Sequence, residues 1–258
     1  MTYEEILYGV ENDVATITLN RPDQLNGMTR RMRAEFREAM TAAQGEARAI
    51  VLTGAGRGFC SGQDLGATKS ADDIDLSQLL REEYEPMLKL IEEGPVPILC
   101  AVNGPAAGAG ANLALACDVV IAARSAYFLE AFARIGLIPD AGGTYHLPRQ
   151  IGLARAMGMC LFAEPIPAAQ AAEWGMIWEV VDDDAFFERT AELALRLARG
   201  PTRAYGAIRK TLRASLANDY QSQLDVEARE QAAMGLTRDF REGVLAFLEK
   251  RKPDYEGR

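Results

Sequence analysis

Short apolar runs punctuate the first part of the chain, each bounded by glycines or polar turn residues. "VATITLN" (14–20) alternates β-branched residues and predicts a strand. "ARAIVLTG" (47–54), "PILCAVNG" (97–104) and "DVVIAA" (118–123) are nearly unbroken apolar stretches, the pattern of strands buried on both faces. Between them the period lengthens to that of a helix. One helix is expected over 30–44, with Thr29 as its cap. Another spans 76–93, where Leu76, Leu79, Leu80, Met87, Leu88 and Ile91 recur near helical spacing. "AAGAGANLALAC" (106–117) opens on glycines and becomes a small-residue helix. Beyond about residue 150 the pattern is helical at 152–163, 167–174, 185–199, 201–216, 220–234 and 237–250, with one short strand at "WEVVD" (178–182). Strands separated by helices predict an α/β chain with largely parallel pairing. The polar segment 66–75 reads as a mobile loop, and no internal repeat is visible.

Composition narrows the class. With 258 residues, 48% hydrophobic and 25% charged, the chain can bury a large core in one domain or two. From Gly94 to Cys117 no residue is charged, about the length of a membrane span. Pro95, Pro97, Pro105, four glycines and two asparagines in that stretch predict strand, tight loop and buried helix instead, so no membrane partner is expected. A net charge of −9 without a basic block argues against nucleic acid. Cys60, Cys100, Cys117 and Cys160 form no CxxC pair and read as reduced, mostly buried thiols of a cytoplasmic protein. His146 is the only histidine, so a histidine-based metal site is not expected. No GxxxxGK[ST] is present, "GAGRGF" (54–59) has Phe59 where a dinucleotide fingerprint needs glycine, and Ser61 lacks a nucleophile elbow.

Two glycine-rich loops carry the first chemical signal: "GRGFCSGQDL" (56–65) and "VNGPAAGAGANLA" (102–114). Glycine lets a backbone approach a ligand, and a helix start offers unpaired N–H groups. Two such loops after neighbouring strands can aim two donors at one point, forming an oxyanion hole. "GLIPDAGGTY" (136–145) carries the second signal, Asp140 at a bend between an apolar stretch and two glycines. Read locally, Asp140 is either the N-cap of the helix opened by Gly142 and Gly143 or a catalytic base in an apolar pocket.

"AGRGFCSGQDL", "AVNGPAAGAGANLALACDVVIAA", "FARIGLIPDAGGTYHLPR", "AAEWGMIWEVVDD" and "EGVLAFLEKRKPDY" together resemble the crotonase (enoyl-CoA hydratase/isomerase) family, in the family's order and over nearly the whole chain. The resemblance implies an α/β crotonase fold, a spiral of repeated ββα units (1–200) with a C-terminal helical trimerisation region (201–258). It implies an acyl-CoA thioester substrate with no separate cofactor, coenzyme A being part of the substrate, and a homotrimer or dimer of trimers. The two oxyanion N–H groups fall on Gln63 and Ala109. Gly62, Asp64, Leu65, Gly108, Gly110, Phe132 and Ile135 line the substrate. By their charge, Arg57 and Lys250 with Arg251 are either contacts for the coenzyme A phosphates or solvated surface charges, and the resemblance implies that Phe247 and Lys250 reach a neighbouring subunit's site. The two glutamates of the family's hydratases are replaced by Asn112 and Phe132, so efficient hydration is not expected. The closer likeness is to isomerases acting on the ring epoxide of phenylacetyl-CoA, which carry a catalytic aspartate at the position of Asp140. Phe132, Ile135, Leu137 and Ile138 would form the apolar pocket that raises its pKa. Glu130 is expected at the solvated surface, a reserve candidate for the base. The implied activity is conversion of ring-1,2-epoxyphenylacetyl-CoA to oxepin-CoA. Alternatives are a Δ3,Δ2-enoyl-CoA isomerase, a weak hydratase, or a non-catalytic protein that binds coenzyme A.

Overall fold

The apolar runs become the parallel centre of a six-stranded sheet in the computed structural model, which describes residues 3–66 and 75–258. The expected mobile loop lies, apart from its two ends, outside the described residues. β1 (Ile6–Glu11) and β2 (Val14–Leu19) form an antiparallel hairpin turning through Asn12 and Asp13, both with positive φ. That is the turn whose twist matches two paired strands. α1 (Arg30–Glu46) buries Met32, Phe36, Met40 and Ala43 along one stripe. Thr29 caps it, its Oγ1 accepting from the Met32 N–H at 3.0 Å, as expected. The chain then enters β3 (Ala49–Gly54), parallel to β2. α2 (Leu76–Leu79), a π turn (Leu80–Tyr84) and α3 (Glu85–Glu93) run as one helical rod to β4 (Ile98–Val102).

From here each turn of the chain feeds two sheets. After β4 come β5 (Ala106–Ala107) and α4 (Ala109–Leu115). After β6 (Val119–Ala123) come β7 (Tyr127–Leu129), a 3-10 turn (Ala131–Ile135), α5 (Gly143–Ile151) and α6 (Leu153–Phe162). β8 (Ile166–Pro167), α7 (Ala168–Glu173) and β9 (Glu179–Val181) complete the spiral. The large sheet runs β1-β2-β3-β4-β6-β9, parallel except at β1, and the small one β5-β7-β8. This strand–strand–helix repetition is the expected crotonase architecture. The uncharged stretch 94–117 folds as β4, β5 and α4, and among the described residues no helix is long and apolar enough to cross a membrane. The four cysteines are free thiols, three of them buried.

α8 (Phe186–Ala198), α9 (Thr202–Ser215), α10 (Tyr220–Met234) and α11 (Arg238–Glu249) follow. α9 is bound to the core by charge. Asp118, at the mouth of β6, pairs with Arg209 at 2.6 Å and Arg213 at 3.0 Å and accepts the Ile98 N–H at 2.8 Å. Arg209 also donates through its two terminal nitrogens to the carbonyls of Ile91 and Gly94, while its Nε meets Asp118 as an ion pair.

Candidate active site

The first glycine loop is shaped by two asparagines. Asn26 is fully buried with positive φ, and its Nδ2 lies 2.9 Å from the Ala55 and Gly58 carbonyls and 3.1 Å from that of Phe59. Asn103 accepts the Gly54 N–H at 3.1 Å and donates to the Gly56 carbonyl at 3.0 Å, tying this loop to the end of β4. Further on, Met28 binds both neighbours of Gln63: its N–H donates to the Gly62 carbonyl at 2.7 Å and its carbonyl accepts the Asp64 N–H at 3.2 Å. In such a strand-like pairing the intervening residue's own N–H faces the other way. The Gln63 N–H accordingly has no acceptor among the described residues, and neither does that of Ala109, the first residue of α4.

Glycine brings these two donors together. At Gly62 φ is +91°, and an added Cβ would sit 2.8 Å from the Ala107 oxygen and 3.3 Å from the Ala109 nitrogen. A Cβ on Gly110 would collide with the Cys60 carbonyl and side chain. Gly108, with φ +53°, donates to the Leu129 carbonyl at 2.7 Å and so ties the start of α4 to β7. The Gln63 side chain is pinned as well, its Oε1 accepting from Arg33 and from the Tyr84 hydroxyl, each at 2.7 Å. The buried Arg33 pairs in turn with Glu83 at 2.6 Å.

Asp140 does not cap a helix through its side chain. Gly142 occupies the N-cap of α5 with no side-chain cap bond, and Asp140 contributes only its carbonyl, which accepts the Gly143 N–H at 2.8 Å. The reason lies in the backbone. Ala141 and Gly142 both take positive φ, and this left-handed pair sets Gly142, two residues beyond Asp140, at the N-cap. Asp140 lines a cavity of about 640 Å³, and its Oδ1 is buried without a hydrogen-bond partner among the described residues. Burial pushes the carboxyl up to about 6.

The walls of that cavity differ from expectation. Leu137 and Ile138 line it, but the opposite wall is the helical rod, through Leu76, Leu80, Tyr84 and Leu88. Ile135 is 62% exposed and stands outside it, because the 3-10 turn presents one side to the core and Phe132 takes that side. Phe132 packs instead under the second loop, where its ring would lie 3.6 Å from a Cβ on Gly108. Glu130 is the larger correction. It is wholly buried, accepts from Asn112 Nδ2 at 3.3 Å, and is pushed up to about 8 by burial.

The remaining predicted contacts are dispersed. Arg57 and Leu65 are exposed on the first loop. The Asp64 carboxylate is held by the Gly66 N–H at 2.7 Å and Arg21 at 2.6 Å, which lower its pKa, so it pins the loop. Phe247 lines a separate cavity of about 750 Å³ between α9, α10 and α11, and Lys250 is the left-handed cap of α11. Within one chain neither meets Asp140. Arg251 is engaged by Glu242 at 2.5 Å and Glu249 at 2.6 Å. Tyr84, Arg33 and Asn26 escaped the sequence reading. Tyr84 left a trace, a polar-tipped aromatic on the apolar stripe of the 76–93 helix, whereas the Arg33–Glu83 contact joins residues fifty positions apart and left none.

Residues 9–258 match the enoyl-CoA hydratase/isomerase family. A Rhodobacter capsulatus protein named "Probable enoyl-CoA hydratase" is 57% identical, each chain covered in full. The "1,2-epoxyphenylacetyl-CoA isomerase" of Escherichia coli is 47% identical over 99% of both chains. Among solved structures, an enoyl-CoA hydratase from Bacillus anthracis superposes with a TM-score of 0.90 at 31% identity, covering 99% of this chain and 100% of that one.

Proposed function

The chain belongs to the enoyl-CoA hydratase/isomerase (crotonase) family of enzymes, and from that premise we propose that it isomerises an acyl-CoA thioester, with ring-1,2-epoxyphenylacetyl-CoA as substrate and oxepin-CoA as product. The thioester oxygen accepts from the Gln63 and Ala109 N–H groups, which stabilise the negative charge that develops when C2 loses a proton. Asp140 takes that proton and returns it to a more distant carbon as the epoxide ring opens, so substrate and product are isomers. A 3-enoyl-CoA would follow the same path, the proton leaving C2 and returning to C4.

The observation that carries this reading is Asp140 itself: a residue lining a cavity, with a carboxylate whose Oδ1 is buried and unpartnered and which is raised to about 6, on a loop bonded to the helix that bears Ala109. The 47% identity to the Escherichia coli isomerase supports the choice of substrate. Hydration needs a group to activate water. Asn112 offers an amide, Phe132 offers none, and the Glu130 carboxyl is closed off from solvent. The Rhodobacter capsulatus relative's name keeps hydration as the competing activity to measure.

The test is turnover of the epoxide and of a 3-enoyl-CoA by wild type and by Asp140→Asn, beside water addition to a 2-enoyl-CoA. Isomerisation should exceed hydration in the wild type and fall at least ~10²-fold in the variant. Hydration faster than isomerisation would overturn the assignment.

A further inference from the structure

Two buried oxygens beside Asp140 lack any hydrogen-bond partner among the described residues: Asn112 Oδ1 and Glu130 Oε1. The Asn112 amide lies at the join between α4 and the Asp140 loop, where its Nδ2 donates to Glu130 Oε2 at 3.3 Å and to the Asp140 carbonyl at 2.9 Å. A carboxylate so placed would be a buried charge with one long hydrogen bond and no cation among the described residues, an expensive arrangement. A carboxylic acid is a different partner, because it carries an O–H donor. The acceptor still wanting a donor is the oxygen of the same amide, so a proton shared between the two oxygens would satisfy both groups.

We propose that Glu130 acts as a neutral acid, reciprocally hydrogen-bonded to the Asn112 carboxamide, and that this pair positions the Asp140 main chain against the start of α4. Glu130 is thus a positioning residue, and the proposal rests on the reading of Asp140 as the base. Asn112 lies one turn beyond Ala109 on α4, so its amide links the helix bearing an oxyanion donor to the loop bearing the base. The notch it fills is tight, since any side chain at Gly143 would collide with that amide. Displacements of ~1 Å between reacting groups cost large factors in rate, which is what such a link prevents.

The pair also has a pH limit. The groups bearing on Glu130 are the Asp140 carboxyl and, on α6, the Cys160 thiol, itself pushed up to about 11 and so neutral. Burial holds the Glu130 acid up to about 8, with ionised Asp140 adding to the shift. Above that pH the shared proton is lost and a second negative charge appears beside the base.

Glu130→Gln separates this from a merely structural role, because glutamine supplies an N–H for the O–H and never ionises. kcat/KM is measured from pH 5 to 10 for wild type, Glu130→Gln and Asp140→Asn, with thermal unfolding over the same range. At pH 7 Glu130→Gln should stay within about threefold of wild type. The wild-type alkaline limb, with its midpoint near 8, should be absent from it. Between the ordinary carboxylate value of 4.5 and about 8 the folded chain holds a proton that the unfolded chain releases. Wild-type stability therefore falls across that window, and the Tm advantage of Glu130→Gln should grow with pH. An unchanged alkaline limb in Glu130→Gln would overturn the proposal. So would a loss of ~10²-fold at every pH, which would make Glu130 a proton-transfer group instead. An active Asp140→Asn would sink the reading of the base, whereas an inactive Asp140→Asn beside an unchanged Glu130→Gln limb would sink only the pair.

Discussion

A carboxyl that burial lifts to about 6 is ionised at neutral pH and more basic than a surface aspartate, the combination a base needs to take a proton from a polarised C–H. It follows that kcat/KM should fall on the acid side with a midpoint near 6, measurable in a pH–rate profile. The same shift has a cost in stability. Between the ordinary value of 3.8 and about 6, the folded chain binds a proton at Asp140 that the unfolded chain has lost, so wild-type stability declines as pH rises through that window. Asp140→Asn should melt higher than wild type at pH 7, and the difference should vanish below pH ~4. Much of this residue was legible: an aspartate between an apolar stretch and two glycines is an anomaly that asks for a reason. Glu130 was not. A carboxylate near a strand end reads as solvated by default, and its burial depends on Asn112, eighteen positions earlier and on another element.

Elements were legible where the side chains themselves are buried. β3, β4 and β6 are apolar almost throughout because both faces are covered, and α1 announces itself by its stripe and cap. β1 escaped because it is an edge strand with only Ile6 buried, so its apolar alternation is weak, and β5 and β8 are two residues each. The cavity wall supplied by the helical rod was hidden for another reason. Which helix faces a loop is decided by the crossover, and periodicity gives only the face. The attachment of α9 rests on three charged residues whose pairing no local pattern shows. Arg209 is buried and Asp118 largely so, and truncating the aspartate strands the arginine. Asp118→Ala should lower the unfolding free energy by about 3 kcal/mol in urea denaturation, and a loss under ~0.5 kcal/mol would mean that α9 is held by its apolar face alone.

The whole molecule presents an unusually apolar helical end. Tyr220, Leu236 and Phe247 are each about four-fifths exposed, and Leu212 and Leu248 are exposed as well, all on α9, α10 and α11 or the turn between the last two. Exposed apolar side chains in this number are what an association face presents. We propose that this face associates with further copies of the chain as a trimer: sedimentation equilibrium should then give a particle of three times 28.1 kDa, and a particle of 28.1 kDa would contradict it. The central chemistry can be isolated from substrate choice and from hydration by following solvent deuterium into C2 of phenylacetyl-CoA by NMR, with wild type and Asp140→Asn side by side. Wild-type enzyme should catalyse the exchange and Asp140→Asn should not. Exchange at the wild-type rate in the variant would contradict proton transfer by Asp140.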